Sequence, residues 1–292
     1  MATLRDLKGR IGSVKSSEKI TGAMKMISSA KMTMAVRDIK RLLPFRTQLE
    51  AIIGNLLGAD AEFSSPLTQQ RELSHATMVV TGSDDGLCGA YNLNIFKQLL
   101  ERVNALRAQQ PGMEITVVPV GAKIAKACAK LAGPGVKVEV PEGVNSKSDA
   151  DTVKAFTRSL QQKFLAGLTD LVEVVYMQFI SPSRQRLKVQ QLLPVSANEI
   201  TGEAAKADGK LYIFEPDAPT IFATALPLML LSTVQEVFCE NRASEQAARV
   251  MAMQSANDNA TKLLDQLQLE YNKLRQQSIT AELLDIIGGQ VR

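Results

Sequence analysis

The sequence predicts an α/β protein. An open, mainly parallel sheet domain is inserted between two long terminal helices that fold back on each other as an antiparallel coiled coil. Three observations carry this. Ala243 to Gly289 contains no proline and no glycine before Gly288, and it is dense in good helix formers. The first 43 residues carry a matching helical period. Between the two, from His75 onward, short apolar runs of strand length alternate with amphipathic runs of helix length.

At the N-terminus, Thr3 caps a helix with Asp6 three residues on, a variant of the capping box. Leu4, Leu7, Ile11 and Val14 hold a 3-4 spacing, and after a slip Ile20, Met24, Ile27 and Met34 resume it. Thr3 to Leu43 is then a helix of roughly 60 Å, weakened by Gly9, Gly12 and Gly22 and in need of a partner. Pro44 kinks or breaks it, Phe45 to Leu57 continues it, and Ala59 to Ser74 is a linker turning at Ser64-Ser65-Pro66.

The inserted domain follows as strands at 76–81, 115–120, 136–140, 171–180 and 187–195, with helices at 93–109, 122–131 and 149–165. The alternation predicts a Rossmann-like sheet, and the last two strands, joined by Ser181-Pro182-Ser183-Arg184, form an antiparallel hairpin on its edge. A polar stretch, Ala197 to Asp208, leads to a short strand at 211–214. Pro219 opens the last helix, which Pro227 bends early and nothing interrupts again before Gly288. From Thr220 to Ile287 it measures on the order of 100 Å and is expected to project. The domains are therefore residues 1–58, 75–214 and 215–292.

The pattern inside that helix predicts its packing. Ala248, Ala252, Ala256 and Ala260 form a small-residue ridge that lets another helix approach closely, and Leu264, Leu267, Tyr271 and Leu274 continue as a heptad seam. Residues 1–57 carry eleven Lys/Arg against four acids, and residues 215–292 carry ten acids against six bases; opposite signs favour pairing of the two. A two-helix coil cannot bury Ile279, Leu283, Leu284, Ile286 and Ile287 together with Met24, Met26, Met32 and Met34, so a partner outside the chain is expected around the tip.

Composition narrows the function. The chain has 292 residues, only 4% aromatic and without Trp, a balance unusual for an all-globular enzyme of this length and usual for helix-rich chains. Three widely spaced cysteines (Cys88, Cys128, Cys239) and one histidine (His75) argue against structural zinc and a disulfide framework, and fit a reducing compartment. A signal core is lacking, and the one apolar stretch, Ile221 to Leu231, is short for a membrane span and holds Pro227. The basic residues of the first helix fall all round it, which suits a solvated face or an acidic partner better than nucleic acid.

The loop from Thr81 to Asn92 sits between a strand and a helix, where phosphates bind in dinucleotide folds. It matches neither glycine fingerprint, and Asp84 and Asp85 would repel an anion. A structural turn is the better reading, with a metal held by Asp84 and Asp85 or a reactive Cys88 as alternatives. Cys88 has no histidine beside it, so a buried thiol is expected. No catalytic residue, cofactor site or metal site is assigned.

Three motifs carry a resemblance. Ala243-Ser244-Glu245-Gln246-Ala247-Ala248-Arg249, Met251-Ala252-Met253, Ala256-Asn257-Asp258-Asn259-Ala260 and Arg275-Gln276-Gln277-Ser278-Ile279-Thr280-Ala281-Glu282-Leu283 resemble the C-terminal signature of the gamma subunits of F-type ATP synthases. Lys19-Ile20-Thr21-Gly22-Ala23-Met24-Lys25-Met26-Ile27 and Ser83-Asp84-Asp85-Gly86-Leu87-Cys88-Gly89-Ala90-Tyr91-Asn92 are similar to that family's other two landmarks, in the same order. Gly22 and Asp85 stand where the family more usually has a basic residue.

The resemblance implies a non-catalytic rotor shaft of a bacterial enzyme. Its coiled coil stands inside a ring of three alpha and three beta subunits. Its α/β domain meets the epsilon subunit and the c-ring, with a delta subunit elsewhere in the complex. It also implies a peripheral position on the cytoplasmic face of the cell membrane, reached only through the c-ring, with no nucleic acid and no cofactor. Arg249 and Gln276 are expected to meet loops of beta, Met24, Thr280 and Glu282 to couple the two helices near the beta lever, and Leu283 to Ile287 to turn as a bearing. Ala197 to Asp208 lacks the cysteines of the chloroplast regulatory insert, so thiol control is not expected. The rival readings are a small-molecule-binding α/β enzyme with dimerising terminal helices and a coiled-coil nucleic-acid binder.

Overall fold

The computed structural model describes residues 3–57, 65–195 and 214–289. Five strands and five α-helices follow one another as α1 (Leu4–Leu57), β1 (His75–Thr81), α2 (Tyr91–Gln109), β2 (Glu114–Val120), α3 (Ala122–Cys128), β3 (Val136–Val138), α4 (Ala150–Leu165), β4 (Leu171–Ser181), β5 (Arg184–Leu193) and α5 (Ala218–Gly289) among the described residues. The chain divides into two compact units, one of residues 1–30 with 249–292, the other of residues 31–248. The division cuts both long helices, so the inner part of each belongs with the sheet and not with the helix pair.

In the larger unit the sheet order is β3-β2-β1-β4-β5, parallel except for the β4–β5 hairpin at its edge. His75 pairs with Glu114 and Ala76 with Leu171, so β1 lies between its neighbours at the centre. Side chains alternate between the faces. Met78, Val80, Val117 and Val175 join Ile95, Leu99, Val103 and Leu106 of α2 and Ile124 of α3 in one buried cluster. Val79, Val118, Val174 and Leu192 face the other way, onto Phe156, Leu160 and Phe164 of α4, Leu49, Ile53 and Leu56 of α1, and Leu226, Leu230, Val234, Val237 and Phe238 of α5. The sheet is thus buried on both faces, as a parallel sheet must be.

Two polar contacts fix this packing. Arg102 of α2 forks onto Glu173 of β4 at 2.7 and 2.5 Å, and this pairing raises the Arg102 pKa. Arg46 of α1 bonds to Glu50 at 2.7 Å and pairs with Glu236 of α5.

The elements depart from expectation in a few places. Pro44 lies inside α1 without breaking it, because the packing of Leu49, Ile53 and Leu56 outweighs one lost backbone bond. Pro227 lies inside α5 in the same way. A window of α5 reaches a mean hydropathy of 1.6, enough by composition for a membrane span, but 56% of it is buried in the protein. It is the core strip just named. β3 ends at Val138 and β5 begins at Arg184. The expected strand at 211–214 lies outside the described residues apart from Phe214, which packs on the core.

In the smaller unit, the Thr3–Asp6 box caps α1 as predicted: Asp6 N donates to Thr3 Oγ1 at 3.2 Å and Thr3 N to Asp6 Oδ2 at 3.1 Å. Asn257 Nδ2 of α5 donates to the Glu18 carbonyl at 2.8 Å and lies 3.3 Å from Thr21 Oγ1, while Thr261 Oγ1 reaches Glu18 Oε1 at 3.4 Å. The paired segments run antiparallel. On α5 the covered positions are Asn257, Ala260, Leu264, Leu267, Tyr271, Leu274 and Ser278, an unbroken 3-4 alternation containing the predicted seam. Ala252 and Ala256 are half-buried on the same side.

On α1 the expectation needs correction. The covered positions run without a slip through Leu4, Leu7, Ile11, Val14, Glu18, Thr21, Lys25 and Ser28. Ile20, Ile27 and Met34 are 59%, 55% and 55% exposed. The seam is narrow and partly polar there because it receives the Asn257 amide, and the apolar stripe faces outward.

Candidate functional site

Open α/β sheets bind ligands in the crevice where the strand order reverses, beyond the carboxyl ends of the strands. Here that place lies between β1 and β4. The Gly82–Gly89 loop leaves β1 there, and its geometry is tight. A Cβ on Gly82 would come within 2.5 Å of Ile124 Cβ, and Gly121, at φ +119°, packs against the Gly82 backbone. The loop needs glycine because two backbones cross, not because a phosphate approaches.

The acidic pair in the loop is structural too. Asp84 accepts from Ala122 N at 2.9 Å, from Ser146 N at 3.0 Å and from Ser146 Oγ at 2.7 Å, tying the ends of β1 and β2 to the segment before α4. Asp85 pairs with Lys147 at 2.8 Å, which raises the lysine pKa. These contacts fit the structural turn expected of the loop. Cys88 is buried, 3.6 Å from Ser83 Oγ and 3.5 Å from Asn92 Nδ2. His75 sits at the start of β1, 3.9 Å from both Glu114 and Asp170. No Cys–His couple forms between them. The Cys128 thiol is pushed up to about 12 by burial. Among the described residues no three metal-ligating side chains gather.

The crevice is occupied by the chain itself. Asn241 and Ser244 of α5, 2% and 0% exposed, lie across the strand ends. Asn241 Nδ2 donates to the Gly82 carbonyl at 3.0 Å, the Tyr91 hydroxyl donates to Asn241 O at 3.0 Å and to its Oδ1 at 2.5 Å, and Ser244 Oγ donates to the Met177 carbonyl at 2.9 Å. Side chains of α5 thus fill the space where a ligand would lie and engage the Gly82 and Met177 carbonyls. Sequence reading missed these residues. The signal was there in two polar side chains, three apart, on a helix face that is otherwise apolar from Phe222 to Ala247. A separate pocket of about 260 Å³ contains Arg41, Arg242, Asp38 and Asp149. Its opposed charges give it no preference for an anion.

The residues singled out for partner contact all lie in the helix-pair unit. Arg249 is 5% exposed. Gln276, Thr280 and Glu282 are exposed, and their bonds are local: Thr280 Oγ1 donates to the Gln276 carbonyl at 2.9 Å, and Ser278 Oγ to Glu282 Oε1 at 3.3 Å. Met24 is half-buried. The pairing of Asn257 with Glu18 and Thr21 places Met24 level with Met253. From Met253 to Thr280 is about 40 Å of helix. Met24 therefore does not form one contact cluster with Thr280 and Glu282, and the structure gathers only Gln276, Thr280 and Glu282 at one place. Ile279, Leu283, Leu284, Ile286 and Ile287 are 49–64% exposed.

Comparison with known proteins agrees with this arrangement. The sequence model of the family described as ATP synthase matches residues 3–291. The ATP synthase gamma chain of Phocaeicola vulgatus is 39% identical over 293 residues, covering 100% of both chains. That of Parabacteroides distasonis is 37% identical over 289 residues, covering 99% of this chain and 98% of the relative. Among solved structures, a chain of the Euglena gracilis mitochondrial ATP synthase, in an assembly of OSCP, F1 and c-ring, superposes with a TM-score of 0.64 at 22% identity, over 99% of this chain and 93% of that one. A chain from the central stalk and c-ring of the Tetrahymena thermophila enzyme gives a TM-score of 0.57 at 23% identity, over 81% and 99%.

Proposed function

The chain belongs to the ATP synthase gamma-chain family, and from that premise we propose that it is the central rotor shaft of a bacterial F-type ATP synthase. It is a non-catalytic subunit. Rotation of the c-ring turns it, and its turning drives the beta subunits of an alpha–beta ring through their affinity states. The observation that carries this reading is the use made of α5. One uninterrupted helix supplies the sheet core, fills the crevice where an α/β enzyme would bind its ligand, and pairs with α1 through a heptad seam. The reading of a small-molecule enzyme loses its site to Asn241 and Ser244.

The partners are alpha and beta around the helix pair, and epsilon and the c-ring at the α/β domain, with delta in the same complex. The chain works in a membrane-associated complex, on the cytoplasmic face of the cell membrane, without touching lipid itself. Gln276 serves as a handle for beta, Thr280 and Glu282 belong to the same contact zone, Arg249, 5% exposed, supports that helix from within the chain, and Met24 acts separately, level with Met253. The outward apolar residues Ile20, Ile27 and Leu283 to Ile287 suit a surface that turns inside a sleeve.

The test is reconstitution with alpha and beta subunits and single-particle observation of a probe on the α/β domain. ATP-driven rotation is expected, and its absence overturns the reading. Gln276→Ala should lower coupling with helix content unchanged, whereas Arg249→Ala, at a buried position, should lower stability as well. Tight, saturable binding of a nucleotide to the isolated chain would favour the enzyme instead.

A further inference from the structure

We propose that Tyr91, Asn241 and Ser244 form a torsional lock, a set of positioning residues that passes torque between the α/β domain and α5; the inference rests on the rotor reading. The argument begins with what an apolar interface resists. The strip of α5 from Phe222 to Phe238 is held to the sheet mainly by hydrophobic contact, which is non-directional and opposes separation more than sliding. Interlocking side chains such as Phe238 against Phe156 resist a turn of α5 about its own axis as well, and directional bonds add to that resistance. Hydrogen bonds are directional and weaken steeply with angle.

The crevice bonds sit where twist is read most directly. They engage the Gly82 carbonyl just past β1, the Met177 carbonyl within β4 and the Tyr91 hydroxyl at the start of α2. Three elements of the domain thereby grip two positions one turn apart on α5. All of these atoms are dry: Tyr91 is 3% exposed, Asn241 2% and Ser244 0%. A rotation of α5 that broke them would strand buried polar groups without water to replace the partners. The two hydroxyls and the amide are all engaged within the chain, which suits a mechanical use. A separate bond, Arg242 Nη2 to the Ser148 carbonyl at 3.0 Å, ties the same turn of α5 to the segment before α4.

The test compares two probe positions in an assembled complex of this chain with alpha and beta subunits. A bead on Gln109→Cys, exposed at the end of α2, reports twist through the lock. A bead on Thr224→Cys, exposed on α5, bypasses it. Tyr91→Phe removes the hydroxyl and leaves the ring in the core; Asn241→Ala removes the amide. Each deletes two of the four crevice contacts, so with contacts of equal stiffness the compliance of the lock rises about twofold. The angular variance of the Gln109 bead during catalytic pauses should rise, by at most that factor because the Arg242–Ser148 bond and the apolar core act in parallel, while that of the Thr224 bead stays unchanged. Equal change at both beads, or no change in the folded Tyr91→Phe variant, overturns the lock and leaves the rotor standing. Failure of the parent protein to rotate overturns the rotor reading itself and the lock with it.

Discussion

Replacing Gly82 by alanine adds one carbon atom at the crossing of two loops, and its cost can be worked from the structure. The new Cβ would lie 2.5 Å from Ile124 Cβ, 2.6 Å from Ile124 Cγ2 and 2.8 Å from Asn92 Oδ1. Carbon atoms prefer about 3.5–4.0 Å, so something must move by about 1 Å. Ile124 is fully buried, and its Cβ is fixed to α3, whose start is held by Lys123 N to the Ser83 carbonyl and Ala122 N to Asp84, both at 2.9 Å. No flexible side-chain end is available to yield. The cost belongs at the upper end of the usual overpacking range, about 3 kcal/mol. For a unit of this size that is a loss of about 6–12 °C in melting temperature. Gly12→Ala provides the control, because a Cβ there meets nothing within 4 Å. In an exposed helix interior it should gain about 0.5–1 kcal/mol. Differential scanning calorimetry reads both, and hydrogen exchange at the amides of β1 and α3 assigns the loss to the loop crossing. An unchanged transition in Gly82→Ala would falsify the claim that these glycines serve close packing.

The other predictions concern register and charge. Leu267 is 3% exposed and Leu269 72%, so Leu267→Ala should cost about 2–5 kcal/mol and Leu269→Ala less than about 0.5 kcal/mol; comparable losses in chemical denaturation would refute the seam. On α1, Ser28→Leu should overpack the pair by about 1–3 kcal/mol, whereas Ile27→Ser should leave its stability nearly unchanged, and the reverse ranking in thermal melts would restore the slipped register. Burial holds the Glu240 carboxyl above the usual range, against the opposing pull of Lys188, Tyr176, Gln178 and Arg46. A raised folded pKa means that its stabilising contribution is complete below the ordinary value of about 4.5 and is lost as the pH rises through the folded value. Glu240→Gln should therefore gain on the parent as pH rises from about 4.5 and then plateau, and a gain that grows toward acid pH instead would contradict the burial argument.

The strands, the helices and the hairpin at the sheet edge were legible because each rests on a local period. Val79 and Val80 point to opposite faces whatever the partner layers are. The seam from Leu264 to Leu274 was legible because Leu264, Leu267, Tyr271 and Leu274 keep an unbroken 3-4 spacing that Leu269 does not share. On α1 the same logic failed. Two stripes compete there, Ile20 with Ile27 and Met34, and Thr21 with Lys25 and Ser28. Hydrophobicity favours the first, while the Asn257 amide, which needs the Glu18 carbonyl, selects the second. The role of Asp84 was hidden for a related reason, since its donors Ala122 and Ser146 lie far along the chain.

By itself the sequence determined the order of elements, the inserted α/β domain, the seam of the last helix and the family, because all of these depend on near neighbours or on motifs in register. Only the tertiary structure decided which face of α1 is covered and what closes the crevice. Those are choices between surfaces of similar composition, settled by single directional bonds such as Asn257 to Glu18 and Asn241 to Gly82. Their partners come from opposite ends of the chain, and no period along the sequence encodes such a meeting.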